Sequence, residues 1–186
     1  TSYLKQNEMI PAIYFVYSRA NVEKYANDIT ISMFSEDEET YPQIIDKECR
    51  QILSKLPNYE EYLHLPEYVN MIKLFQKGIG IHPSGIMPVL REMVEILFEK
   101  RYIKLLFATE TFAVGLNMPT KTVVFTNLSK FDGGNMRYLQ AHEYTQQAGR
   151  AGRRGFDEKG IVIHLSNLFE YPFLNDYKKI LGGVPV

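Results

Sequence analysis

Tryptophan is absent from this chain of 186 residues, and cysteine occurs once, at Cys49. A single thiol excludes an internal disulfide and fits a reducing, intracellular setting, cytoplasmic or nuclear. The four histidines are scattered and form no metal-ligand spacing with Cys49, so no structural metal is expected. Charge of one sign is lacking too: 21 basic against 22 acidic residues leave a net charge of −1. That excludes binding to a polyanion through a broadly basic face, so any such contact must use a few placed groups. No apolar run approaches the ~20 residues needed to span a bilayer, and Thr1–Ile10 lacks a basic start with an apolar core, so neither a membrane span nor a secretion signal is expected. At 45% hydrophobic the chain has enough apolar material for one well-filled core, which predicts a single domain over 1–186.

Against this neutral background one stretch stands out, Gln146-Gln147-Ala148-Gly149-Arg150-Ala151-Gly152-Arg153-Arg154-Gly155. Guanidinium groups stay charged and grip a phosphate in two places, while glycines such as Gly149 and Gly152 let a backbone approach closely. The pattern suits a phosphoanion. Taken alone it also fits a solvated basic turn.

Elsewhere the chain alternates short apolar runs with helical periodicity. Ala12–Tyr17 reads as a strand, followed by Val22, Tyr25, Ala26, Ile29 and Met33 at helical spacing. Ser18 stands at that junction, where a hydroxyl caps a helix and unpaired N–H groups attract phosphate oxygens, so a plain cap and a phosphate contact are both open. Glu36-Asp37-Glu38-Glu39 reads as a solvated acidic loop. It opens a helical insertion, about 35–77, in which Pro42, Pro57 and Pro66 mark helix starts or breaks and Tyr41, Tyr59, Tyr62 and Tyr68 supply packing onto the core, a partner surface being the alternative. After Gly78 come a short strand, a helix starting near Pro88 with apolar residues from Ile86 to Phe98, and buried strands at Ile103–Phe107 and Thr122–Thr126. Lys130-Phe131-Asp132-Gly133-Gly134 reads as a flexible loop, Glu143–Ala151 as a helix and Gly160–Leu165 as the last strand. The alternation predicts an α/β, three-layer fold with a mostly parallel sheet.

Four ordered segments give the chain a family resemblance: Phe15-Val16-Tyr17-Ser18-Arg19, Ile81-His82-Pro83-Ser84-Gly85, the run Ala108-Thr109-Glu110 to Gly115-Leu116-Asn117-Met118-Pro119, and the glycine–arginine stretch. Together they resemble the motor motifs of superfamily-two helicases, most closely the second RecA-like domain of superkiller-type DExH RNA helicases, the group that feeds RNA to the exosome. The resemblance runs from about Pro11 to Leu165. It implies a RecA-like domain that completes an ATP site and grips a nucleic-acid backbone for 3′ to 5′ translocation. The lysine–aromatic–aspartate–glycine run from Lys130, and Arg154-Gly155 after the glycine–arginine motif, look like the RNA-processing branch.

By that resemblance Arg150 and Arg153 act as arginine fingers, with Gln146 orienting water or the γ-phosphate region. Gly115, Asn117, Gly149 and Gly152 lie close to the nucleotide. Ser18, Arg19, His82, Ser84, Gly85, Thr109 and Glu110 touch the nucleic acid; the carboxylate of Glu110 needs a base edge, a hydroxyl or a cation as partner. Arg150 and Arg153, three residues apart, are expected on one helical or turn face, projecting together from the sheet edge that bears Thr109 and Gly115. Two positions depart from the family: Pro83 stands where a second histidine is usual, and Gln147 where methionine is usual, the latter without an assigned role. The sequence has neither a G-x-x-x-x-G-K-[ST] loop nor a D-E-x-[HD] pair, so ATP and Mg²⁺ are expected to be held mainly by a first RecA-like domain. Thr1 is no initiator methionine, and the segment from about Lys178 resembles the start of a linker, so a partial chain, inert alone as an ATPase, is expected. RNA, that first domain and RNA-degradation machinery are the implied partners. A DNA helicase and a non-catalytic nucleic-acid-binding scaffold are the rival readings.

Overall fold

The computed structural model describes residues 1–109, 119–165 and 172–182. The chain begins with a short helix α1 (Ser2–Gln6) and enters strand β1 (Ala12–Phe15), then α2 (Arg19–Asn27). A 3-10 turn (Glu36–Glu38) leads to α3 (Tyr41–Ser54), α4 (Tyr59–Tyr62) and α5 (Pro66–Phe75). The pattern then returns to β2 (Ile79–His82), α6 (Pro88–Glu99), β3 (Leu105–Ala108) and β4 (Thr122–Phe125). A hairpin of β5 (Ser129–Phe131) and β6 (Met136–Tyr138) precedes α7 (Ala141–Ala148), β7 (Ile161–His164) and α8 (Leu174–Gly182).

Five strands form a parallel sheet in the order β2-β3-β1-β4-β7. β1 is central, with Ala12 opposite both Leu105 and Thr122, and all of its residues are buried. A parallel strand covered on both faces must be apolar rather than alternating, as Ala12–Phe15, Leu105–Ala108 and Val123–Phe125 are. Polar groups at the strand ends are satisfied locally. Thr120 and Thr122 donate their hydroxyls to the carbonyls of Pro11 and Met9, both at 2.6 Å, and Thr126 donates to that of Phe15 at 2.8 Å.

The helices close over the sheet with the residues that the periodicity singled out. α6 turns Leu90, Met93, Val94, Leu97 and Phe98 inward, and Pro88 occupies its first turn, where no N–H is needed. Tyr14 stacks on Phe107 of the neighbouring strand at 4.8 Å, and Phe125 of the sheet stacks on Tyr144 of α7 at 4.8 Å.

The inserted helices share this core. Ile45, Cys49, Ile52 and Leu53 of α3 and Tyr68, Met71, Leu74 and Phe75 of α5 are buried in one cluster with the sheet residues. Pro42 and Pro66 sit in the first turns of α3 and α5, and Pro57 lies in the break between α3 and α4. Burial pushes the Cys49 thiol up to about 12, so it is an inert packing group. Tyr41 packs edge-on against Phe34 and Tyr102, whereas Tyr59 is exposed. Phe75→Ala is expected to destabilise the chain by about 3–5 kcal/mol within one cooperative transition followed by chemical denaturation. A separate early transition of the inserted helices would refute a common core.

Two expectations need correction. The acidic run is not wholly solvated, because Glu38 folds back to Lys104 at 2.7 Å. The supposed flexible loop after Lys130 is the β5–β6 hairpin, whose turn is tied by Asp132 accepting from the N–H groups of Gly134 and Asn135, both at 3.2 Å. The segment from Lys178 to Gly182 is the end of α8, with Ile180 buried against the domain; residues 183–186 lie outside the described residues.

Candidate nucleotide and nucleic-acid sites

Parallel strands bring their carboxyl ends to one edge, and there the loops after β1, β2 and β3 converge. Ser18 caps α2 in extended backbone (φ −141°, ψ 125°), its hydroxyl accepting from Asn21 N–H at 3.4 Å. Arg19 follows as an exposed cation in the first turn. Its guanidinium reaches Gly85, whose positive φ of 76° bends the loop after β2, and a Cβ there would lie 3.4 Å from Arg19 Nη1. Thr109 N–H donates to the carbonyl of His82 at 3.3 Å, joining the third loop to the second. Ser18, Arg19, Ser84, Gly85 and Thr109 therefore occupy one edge, with Ser84 and Gly85 exposed and Thr109 buried.

His82 differs from its expected role. It is 4% exposed, and its ring meets Glu95 at 3.2 Å through Nε2. Burial lowers its pKa, with Glu95 opposing, so the ring is a packed support for the loop rather than a surface group open to phosphate. Pro83 is buried beside it. Glu110, Gly115 and Asn117 lie outside the described residues.

The glycine–arginine turn occupies the opposite edge. α7 ends at Ala148, and the chain passes Thr120 at the entry to β4: Thr120 N–H donates to the carbonyl of Arg150 at 2.9 Å, and Gly152 N–H donates to that of Thr120 at 2.7 Å. The expected common edge with Thr109 is thus not found. The reason is topological: α7 must descend from the carboxyl end for β7 to rise parallel to β4, so the turn between them falls at the amino ends. Nor do the two arginines share a helical face, since both follow the end of α7 and Gly152 intervenes with φ 88°.

Arg153 turns to a local carboxylate. Its N–H and Nε donate to Asp157 Oδ2 at 2.9 and 2.8 Å, and Nη2 donates to Oδ1 at 3.1 Å. The bonds from Arg153 hold Asp157 below the usual carboxylate range. Phe156 lies beside this pair, with the Arg101 guanidinium 4.0 Å and that of Arg153 5.5 Å from its ring centre. Together they border a cleft of about 660 Å³ whose walls include Ile10, Phe98 and Pro119 and whose rim carries Arg101, Arg153 and Arg154. Burial lowers the pKa of the half-buried Arg150, which as an arginine stays charged. Gln146 is exposed, whereas Gln147 is 2% exposed and accepts from Tyr17 Oη–H at 2.5 Å.

Asp157 could have been found in the sequence, since it stands four residues after Arg153. Arg101 and Tyr17 could not, because their partners lie far away along the chain.

The hairpin is fastened to α7 by charge. Glu143 accepts from Arg137 Nη1 at 2.7 Å and Nη2 at 3.2 Å, pairs with Lys130, and accepts from Gln140 N–H at 2.9 Å. Burial opposes its ionisation, but these bonds overcome that and hold its pKa down to about 2. A carboxyl depressed in the folded state stabilises fully above its unfolded value and loses that contribution as pH falls towards the folded one. The Glu143 contribution is accordingly complete above about pH 4.5 and lost between there and about pH 2. Buried His82 and partly buried His164, both lowered by burial, add a separate loss that begins as pH falls below about 6.5. Glu143→Gln should remove the lower-pH component of the stability profile, measured by denaturant midpoints from about pH 6 to about pH 3; an unchanged slope would contradict the pairing.

Among the described residues no group of three or more His, Cys, Asp or Glu is placed to hold a metal, and no helix is long and apolar enough to cross a membrane.

The family model described as helicase conserved C-terminal domain matches residues 50–155 of this chain. The chain is 38% identical to the antiviral helicase SKI2 of Saccharomyces cerevisiae over 187 residues, covering 99% of the chain and 14% of that protein. It is 44% identical over 153 residues to the exosome RNA helicase MTR4 of Homo sapiens, covering 82% of the chain and 14% of that protein. It is also 44% identical over 177 residues to mRNA transport homolog 4 of Caenorhabditis elegans, covering 95% of the chain and 17% of that protein. The chain therefore spans less than a fifth of the length of these curated relatives.

Proposed function

Because this chain belongs to the helicase conserved C-terminal domain family, we propose that it is the second RecA-like domain of an ATP-dependent RNA helicase. The supporting observation is the division of labour across one sheet. Ser18, Arg19, Ser84, Gly85 and Thr109 lie at the carboxyl edge, and a guanidinium-bordered cleft lies at the amino edge.

In this reading Ser18, Arg19, Ser84, Gly85 and Thr109 hold phosphate and sugar of single-stranded RNA, Glu110 accepts from a ribose hydroxyl, and His82 supports the loop from beneath. Such contacts position a strand without reading bases, so movement along it is sequence-tolerant. At the other edge Arg150 and Arg153 neutralise charge that spreads over the γ-phosphate of ATP held by a first RecA-like domain, which also supplies the Mg²⁺ ligands. The exposed amide of Gln146 orients the attacking water. Gly149, Gly152 and Gly115 allow close approach of backbone to the nucleotide, with Asn117 near it. The residues fit a triphosphate in one observable respect: Arg153 uses Nε and Nη2 on Asp157, and Nη1 is not bonded among the described residues, so it remains available to an incoming oxygen.

Closure around ATP would seat the basic rim on the first domain, and reopening after hydrolysis would advance the carboxyl edge along the strand, 3′ to 5′. The relatives named as RNA helicases favour RNA over DNA, and the one named for the exosome makes RNA-degradation machinery the proposed partner. The test is ATP turnover by the full-length protein with single-stranded RNA or DNA, and unwinding of duplexes with 3′ or 5′ overhangs. RNA-stimulated turnover and unwinding from the 3′ overhang are expected. Equal stimulation by DNA would move the substrate class, and no turnover with either would leave a binding scaffold.

A further inference from the structure

Tyr17 and Gln147 stand 130 residues apart in sequence, yet Tyr17 Oη–H donates to Gln147 Oε1 at 2.5 Å. The two residues belong to different ends of the proposed machine. Tyr17 leaves β1 immediately before Ser18 and Arg19, at the carboxyl edge. Gln147 is in the last turn of α7, flanked by Gln146 and followed by the turn that carries Arg150 and Arg153. We propose that the Tyr17–Gln147 hydrogen bond is a positioning contact that couples strand binding at Ser18 and Arg19 to the placement of Gln146 and the arginine turn.

The inference rests on the motor reading above and adds a residue pair to it. Gln147 is buried at 2% exposure, so its amide oxygen must be satisfied inside the protein, and the tyrosine hydroxyl reaches it in a short bond. A buried polar bond has one preferred geometry, whereas an apolar pair in the same place slides at little cost. A shift of the Ser18–Arg19 loop towards a bound phosphate therefore pulls on α7, and α7 is short and stiff enough to pass that shift to Gly149 and Arg150. By linkage the same contact works in reverse, so nucleotide bound against the arginine turn alters the grip on RNA by the same factor. This assigns a use to the amide that stands where methionine is usual in the resembled helicases.

The experiment compares full-length wild type, Tyr17→Phe, Gln147→Met and the double variant. Three quantities are read: the thermal midpoint, ATP turnover with and without a single-stranded poly-uridine probe, and the tightening of that probe's binding by a non-hydrolysable ATP analogue. Neither residue touches substrate, so turnover without RNA should stay within about twofold of wild type. RNA stimulation and analogue-induced tightening should both fall by about fivefold or more in each single variant. The double variant separates a positioning role from a structural one. Removing both partners leaves no buried amide deprived of its donor, so the midpoint should recover towards wild type while the coupling stays lost. Stimulation that returns with the midpoint, or single variants that keep full stimulation, would overturn the proposal. A wild type with no RNA-stimulated turnover would instead defeat the motor reading.

Discussion

Arg153→Ala in the full-length protein should lower ATP turnover by about 10³-fold or more while RNA affinity changes by no more than a few-fold. The split follows from the architecture. Arg153 lies at the amino edge of the sheet, beside Asp157 and Phe156, and the groups proposed to hold RNA lie at the carboxyl edge. An arginine finger acts by placing charge where the transferring phosphoryl group develops it, so its loss is felt in turnover and not in backbone contacts made elsewhere. The pairing with Asp157 sharpens the expectation. Two of the guanidinium nitrogens are fixed by that carboxylate, which orients the group before nucleotide arrives. Asp157→Asn should consequently lower turnover by a smaller factor than Arg153→Ala, since the guanidinium remains but its orientation loosens. Unchanged turnover in Arg153→Ala would end the assignment of the finger.

Gly160→Ala is expected to have the largest structural effect of any single methyl group added to this site. A Cβ at Gly160 would lie 2.5 Å from both the carbonyl carbon and oxygen of Ala151 and 2.8 Å from Gly152 N. All three are backbone atoms, held by the bonds that fasten the arginine turn to Thr120 at the entrance of β4. No side chain can rotate away, so the turn or β7 must shift, at about 3 kcal/mol or more. For a chain of this size that lowers the thermal midpoint by roughly 6–12 °C. Turnover in the full-length protein should fall with it, because the displaced segment bears Arg150 and Arg153. Gly155→Ala is the control: its φ of 83° carries conformational strain, but no atom lies within 4 Å of the added Cβ. It should cost only about 1–2 kcal/mol and leave turnover nearly intact. A Gly160→Ala chain with the wild-type midpoint would show that the close approach of β7 to the turn is not required.

The order of strands and helices was legible because it rests on local period. Buried parallel strands leave apolar runs, and α6 leaves a continuous stripe from Leu90 to Phe98. The helical insertion was legible from its prolines. The hairpin was not: Gly133 and Gly134 signal a turn, but what holds the ribbon is Glu143 of α7 gripping Lys130 and Arg137, a contact without a sequence pattern.

By itself the sequence determined which residue types are concentrated where, and through them the family, the α/β architecture and the candidate residues at both sites. Tertiary structure alone decided how these are distributed in space. It buried His82 against Glu95, tied Arg153 to Asp157, set the arginine turn and Thr109 at opposite ends of the sheet, and joined Tyr17 to Gln147. The physical reason is that apolar periodicity is a local signal repeated along each element, whereas a hydrogen bond between residues far apart depends on where the whole sheet places two single side chains.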